Sequence, residues 1–153
     1  MITAFAPVFD ENSRILILGS MPSVKSLEQG FYYGHPQNRF WKILGEIVGE
    51  KFPEDIPGKK EMLAKYGIAL FDVIAACERE GSLDSAIKNA LPADLSVFPN
   101  LGKMKVFTNG KLAEKLLKKY YPDLPFVPLP STSPANQAHF DRGKWLELKK
   151  YLR

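Results

Sequence analysis

Cysteine, histidine and long apolar stretches are all scarce in these 153 residues, which hold one cysteine and two histidines. No hydrophobic run reaches the roughly 18 residues that a membrane-spanning helix needs. Cys77 alone can close no internal disulfide and cannot build a multi-thiolate zinc or iron-sulfur site. His35 and His139 are too few for a protein-built zinc centre, so no metal, no iron-sulfur cluster and no cofactor is expected. Met1 to Val8 lacks the basic start and long apolar core of a secretory signal. The chain therefore reads as soluble and cytoplasmic, with no membrane partner. Repeats and low-complexity tracts are missing too, and the 12 prolines and 11 glycines are scattered as turn punctuation. The length suits one domain, residues 1–153, with room for a real core.

What is present is 45% hydrophobic and 25% charged, with a net charge of +4. The excess is modest, but it is concentrated. Lys103, Lys105, Lys111, Lys115, Lys118 and Lys119 fall within seventeen residues against the single acid Glu114. A lysine-rich helix face kept in water is the plain explanation of such a run, and a surface that contacts phosphates is the sharper one.

Arg14 to Leu18 (RILIL), ended by Gly19, is the continuous apolar run of a strand buried on both faces, and it predicts a central parallel strand. Residues 67–74 (GIALFDVI), 105–108 (KVFT) and 125–129 (PFVPL) repeat the theme, with Pro128 placing the last at an edge. Between them, residues 38–48 carry Phe40, Trp41, Leu44, Ile47 and Val48 at close to helical spacing. Residues 111–120 set Leu112, Leu116 and Leu117 on one side of a second helix, and residues 144–152 form a third. Parallel strands need crossovers, so this alternation predicts a three-layer α/β/α sandwich.

In such sheets ligands bind beyond the carboxyl ends of the strands. The residues there are Gly19-Ser20-Met21-Pro22-Ser23, Asp72, Thr108-Asn109-Gly110, and Pro130-Ser131-Thr132-Ser133-Pro134-Ala135-Asn136. Apart from Asp72 they offer hydroxyls, amides and tight turns. That rim lacks the carboxylates of a magnesium site, the glycine-lysine loop of a triphosphate site and the Ser, His, acid set of acyl transfer. It suits a neutral ligand rich in hydrogen-bonding edges, such as a nucleobase, or phosphate held by backbone amides. Each feature also has a plain structural use: Gly19 and Gly110 can close turns, Ser131 to Ser133 can cap, and Asp72 can cap the turn after its strand.

The segment from Phe31 to Trp41 (FYYGHPQNRFW) is the densest in aromatics. Tyr33 can offer a flat face to a base, with Gly34 and Pro36 fixing the loop that presents it. Asn38 stands where loop becomes helix and is among the best helix caps. Phe40 and Trp41 read as core.

Ile15 to Ser23 (ILILGSMPS), Tyr32 to Trp41 (YYGHPQNRFW), Phe71 to Ser85 (FDVIAACEREGSLDS) and Leu129 to Asn136 (LPSTSPAN) together resemble the hypoxanthine-DNA glycosylase branch of the uracil-DNA glycosylase superfamily. The blocks stand in family order and span nearly the whole chain. The resemblance implies a four-stranded parallel α/β/α sandwich and a monomeric enzyme that excises deaminated bases from DNA. In the mismatch-specific uracil branch the first motif carries a catalytic Asn in Gly-Ile-Asn-Pro-Gly, and Gly19 to Ser23 has none. The resemblance moves the catalytic amide to Asn38. It places base-binding groups at Gly19, Ser20, Met21, Tyr33 and Asn109, and DNA-binding groups at Ser23, Ser131, Thr132, Ser133, Pro134 and Phe140. Phe140 would be the wedge in a loop from Ala135. The turn at Pro130 to Pro134 has no histidine, unlike the most active uracil enzymes, and so matches the hypoxanthine branch.

With no lysine on a matched catalytic position, a monofunctional hydrolase is expected, leaving an intact abasic site. Two rivals share the scaffold: a uracil or G·U mismatch glycosylase, and a DNA- or nucleotide-binding module without turnover. Cys77, Glu78 and Arg79 match a family block without an evident chemical role, and helix packing is their expected use.

Overall fold

The computed structural model describes residues 1–152; the side chains of residues 137–139, His139 among them, also lie outside the described residues. In chain order the elements are β1 (Ile2–Thr3), β2 (Ile15–Gly19), α1 (Val24–Gln29), α2 (Phe40–Val48), α3 (Ile56–Tyr66), β3 (Ile68–Asp72) and β4 (Ile74–Glu78). Then come β5 (Lys88–Pro92), β6 (Lys105–Asn109), α4 (Lys111–Tyr120), β7 (Val127–Leu129) and α5 (Arg142–Leu146). Among the described residues no helix is long and apolar enough to cross a membrane.

Four strands make a parallel sheet in the order β3-β2-β6-β7. β2 is central, as its unbroken apolar run predicts, and Pro128 does lie on an edge strand. Ile15 and Ile17 point to one face, where they meet Phe40, Leu44, Ile47, Trp145 and Leu148 of the helical layer. Leu16 and Leu18 point to the other, against Ala113 and Leu117 of α4. All four β2 side chains are fully buried, each worth about 1.5–3 kcal/mol by area, an upper estimate. Helices on both faces give the expected three layers. The register sets Gly19 opposite Asp72 and Asn109 opposite Leu129, so the carboxyl ends of the strands finish at one rim.

Residues 67–74 do not form one strand. The chain leaves the parallel sheet at Val73, whose N–H donates to the Gly19 carbonyl at 2.8 Å, and Ile74 N–H follows to Ser20 at 3.1 Å. β4 then joins β1 and β5 in a separate antiparallel sheet. Both halves are apolar because both are buried, which hides the break. Cys77 is buried within β4, so the block expected to pack a helix is a strand and the loop after it.

α4 has its predicted bounds. α2 starts two residues later than the spacing suggests, and the carboxyl-terminal helix is α5 followed by a 3-10 stretch, Glu147–Tyr151. α1 and α3 carry weak patterns. α1 has six residues, and α3 buries only Leu63.

Candidate active site

A cavity of about 380 Å³ opens at the common rim of the strands, within the usual range for small-ligand sites. It draws residues from six places in the chain: the turn Gly19–Ser23, the aromatic loop with Tyr33 and Asn38, Asp72, the loop after β4 with Ser82 and Asp84, Asn109 with the start of α4, and Ser131–Ser133. Pro134 and Phe140 are not part of the lining.

Gly19, Asp72 and Tyr33 converge at one wall. A Cβ on Gly19 would lie 2.6 Å from Asp72 Oδ1 and 2.8 Å from Tyr33 Oη, so close approach requires glycine here. Asp72 Oδ2 and Tyr33 Oη are buried with no well-formed hydrogen bond among the described residues. Burial pushes the Asp72 carboxyl up to about 7. The Tyr33 phenol is raised first by burial and then by the charge of Asp72, while the nearby Asn109 amide offsets a part.

Tyr33 adopts φ 53°, an unusual conformation for a bulky residue, so its loop must be held firmly. Gly34 N–H donates to the buried Ser26 Oγ at 2.9 Å, and Ser23 Oγ donates to the same oxygen at 3.1 Å. Ser23 Oγ also accepts from Ser26 N–H at 3.1 Å, capping α1. On the other side, Trp41 Nε1 donates to the Tyr32 carbonyl at 3.1 Å. Phe40 stacks on the Tyr33 ring with centroids 3.9 Å apart. The ring is thus a platform backed by the core, with its remaining surface on the cavity.

Asn38 Oδ1 accepts from Phe40 N–H at 2.9 Å, a local bond that fixes the amide one residue before the N-cap of α2, which is Arg39 and not Asn38. The Asn38 Nδ2 donors have no partner among the described residues, and the side chain lines the cavity.

Asn109, expected to bind the base, lines the cavity with its amide already engaged by the protein. Its Nδ2 donates to Thr132 Oγ1 and its Oδ1 accepts from Thr132 N–H, both at 3.0 Å, with both residues buried. The amide joins β6 to the Pro130–Pro134 turn. Thr132 is correspondingly committed inward. Ser131 Oγ accepts from Ser133 N–H at 3.1 Å, and Ser133 Oγ accepts from Ala135 N–H at 3.3 Å. The serines do turn chemistry, yet each keeps a hydroxyl proton for an outside acceptor. Met21 packs against Ile74 and Cys77 while also lining the cavity.

Phe140 is half-buried against the core, with the Arg39 guanidinium 4.9 Å above its ring, so it is engaged and not extended as a wedge. Of the clustered lysines, all exposed, Lys111 lines the cavity; Lys118 pairs with Glu114 at 3.0 Å.

Arg79 has no role legible in the sequence. Its Nη2 donates to the Pro22 carbonyl at 2.7 Å and its Nε to the Gly81 carbonyl at 2.6 Å, tying the Gly19–Ser23 turn to the loop after β4. Ser82 Oγ accepts from Val24 N–H at 2.9 Å and joins the same two segments. Ser26 is equally illegible there. Nothing in its residue type separates it from any helix serine, because its role comes from a partner eight residues away.

The family model of the uracil DNA glycosylase superfamily matches residues 6–152. A protein named hypoxanthine DNA glycosylase from Methanosarcina acetivorans is 39% identical over 97% of this chain and 96% of its own length. Another of that name, from Methanosarcina barkeri strain Fusaro, is 42% identical over 72% of each chain. A solution NMR structure of a Methanosarcina acetivorans protein described as a candidate uracil DNA glycosylase superposes with a TM-score of 0.76 at 34% identity, covering 97% of this chain and 96% of that one.

Proposed function

The chain belongs to the uracil DNA glycosylase superfamily, and from that premise we propose that it hydrolyses the N-glycosidic bond of deaminated bases in DNA, with hypoxanthine the preferred base. The observation that carries this reading is Asn38, an amide pinned by its oxygen to the start of α2, with free donors on a cavity of nucleobase scale. A binding module would have no need to hold an amide in that way. Hypoxanthine is favoured because the two Methanosarcina relatives carry its name at 39% and 42% identity.

Breaking the bond leaves an oxocarbenium-like sugar and negative charge on the departing base, and water then adds to the sugar carbon. Asn38 Nδ2 and backbone N–H groups of the Gly19–Ser23 turn take up that negative charge, in positions set before the reaction starts. Tyr33 stacks on the extruded base, a contact worth about 1–3 kcal/mol in comparable sites. Below pH 7 Asp72 is largely neutral, so its carboxyl can donate as well as accept at the cavity wall. Asn109 serves by holding the Ser131–Ser133 turn, whose outer hydroxyls meet phosphate. Lys111 adds a cation at the mouth. One domain carries the whole reaction as a monomer, and an intact abasic site remains.

The test is identification of the free base by mass spectrometry after incubation with matched duplexes containing hypoxanthine, uracil or xanthine. Fastest release of hypoxanthine, without strand cleavage until alkali is added and without a borohydride-trapped adduct, supports the reading. Uracil as the leading product would overturn the substrate. No free base from any duplex would favour the binding module.

A further inference from the structure

Arg39 follows Asn38 in the chain and is the N-cap of α2, so the helix start that holds the amide holds this residue too. Its own bonds run the other way, to the rim turn. The backbone N–H donates to the Thr132 carbonyl at 3.1 Å, and Nη1 donates to the Ser133 carbonyl at 3.3 Å. The guanidinium lies 4.9 Å above the centre of the Phe140 ring, inside the range of cation–π attraction. Phe140 is thereby a platform that keeps the group flat beside the cavity, whose lining includes both Asn38 and Ser133.

A strut between helix and turn accounts for one bond of this side chain and leaves the rest of it unexplained. A guanidinium carries five N–H donors, and one is used within the described residues. Among the described residues no carboxylate pairs with it. Other arginines of this chain are committed: Glu46 holds Arg142 through two bonds at 2.9 Å, and Arg79 spends Nε and Nη2 on carbonyls. Arg39 is also half-buried, so its charge is not simply left in water. Beside it, Ser131 and Ser133 keep hydroxyl protons for an outside acceptor. An uncompensated cation held in one place next to free hydroxyls matches a fixed anion, and the planar fork of arginine suits the oxygens of a phosphate.

We infer that Arg39 binds a backbone phosphate of the DNA strand that carries the extruded nucleotide, one of the two that flank it. The inference rests on the glycosylase reading above. A base seated in the cavity brings its own sugar up to Asn38, and the flanking phosphates then pass the neighbouring residue. A phosphate contact carries no sequence information, so Arg39 sets the register of the strand on the site and not the choice of base.

The test measures affinity by anisotropy over a series of salt concentrations, on a duplex whose hypoxanthine nucleotide carries a 2′-fluorine that blocks cleavage. Wild type, Arg39→Met, Arg39→Lys and Arg142→Gln are compared. Each phosphate contact adds about 0.9 to the slope of log affinity against log salt. Between about 50 and about 200 mM salt, wild-type affinity should therefore fall about 3.5-fold more than that of Arg39→Met. Arg39→Lys keeps a cation without the flat fork, and should keep the wild-type slope at weaker affinity. Arg142→Gln removes one charge elsewhere and should keep the slope as well. With a methylphosphonate at one of the two flanking positions, wild type should drop to the level of Arg39→Met, which should itself be unaffected.

Equal slopes for wild type and Arg39→Met would overturn the contact and leave Arg39 a strut. An equal loss of slope in Arg39→Lys would do the same, and an equal loss in Arg142→Gln would reduce the effect to net charge. Insensitivity of wild type to both methylphosphonates would overturn the assignment to a flanking phosphate. Release of hypoxanthine by wild type from the unmodified duplex is followed in parallel. Its absence is the separate failure of the glycosylase reading, since the slopes report on DNA binding alone.

Discussion

Asn109 holds Thr132 through both ends of one amide, donating to its hydroxyl and accepting from its backbone N–H, each at 3.0 Å. Two elements 23 residues apart are joined by this pair, and both side chains are buried. The end of β6 thereby fixes the turn that carries Ser131 and Ser133.

Asn109→Ala leaves the Thr132 N–H without its acceptor. Loss of a buried partner of this kind costs about 1–3 kcal/mol. Urea unfolding should show that loss, and base release should fall by a similar factor for hypoxanthine and uracil. A change of base preference with unchanged stability would return Asn109 to the role of base reader.

Gly19→Ala tests the convergence of Asp72 and Tyr33. The new methyl meets Asp72 Oδ1 at 2.6 Å and Tyr33 Oη at 2.8 Å, so at least one must move. Overpacking in a tight interior costs about 1–3 kcal/mol. A lower thermal midpoint together with slower base release is expected. Wild-type values for both would show that the wall is loose.

Asp72 gives a pH dependence with a definite sign. Its carboxyl ionises near 3.8 in the unfolded chain and near 7 in the folded one. Between those values the folded state binds more protons, so the carboxyl's contribution to stability is whole below about pH 3.8 and is lost as pH rises towards 7. Asp72→Asn lacks this titration. Across that range wild type should therefore lose stability relative to Asp72→Asn, with a constant difference above it. Base release by wild type should also fall as pH passes about 7, a limb absent from the variant. Parallel stability curves would contradict the burial of an acid at this wall.

Arg79→Ala removes the bond to the Pro22 carbonyl that ties the Gly19–Ser23 turn to the loop after β4, together with the bond to Gly81 inside that loop. Slower release with little change in duplex affinity is expected under the proposed mechanism, in which the turn acts on developing charge. A loss of affinity alone, read by anisotropy, would place Arg79 on the DNA instead.

The parallel sheet was legible because its central strand is buried on both faces and therefore apolar without a break. The same rule concealed the join between β3 and β4, where burial continues through Val73 while the hydrogen-bonding partners change. Asn38, Tyr33 and Gly19 were legible as residue types at strand ends and in an unusual loop, and the cavity does unite them. Asn109 was legible as a polar group at the rim, but its partner lies in another segment, and partners decide whether an amide is free. Arg79 and Ser26 were opaque for the same reason.

The most direct test of the account compares Asn38→Asp with Asn38→Ala and wild type in single-turnover release of hypoxanthine, with duplex binding measured alongside. Asp keeps an oxygen for Phe40 N–H and so keeps that bond, but it has no Nδ2 donor. The account predicts that Asn38→Asp folds as stably as wild type and binds duplex, while release falls by about 10²–10³-fold, as when one preorganised donor is removed. Release by Asn38→Asp at close to the wild-type rate would contradict it, and would leave Asn38 only the structural bond to Phe40.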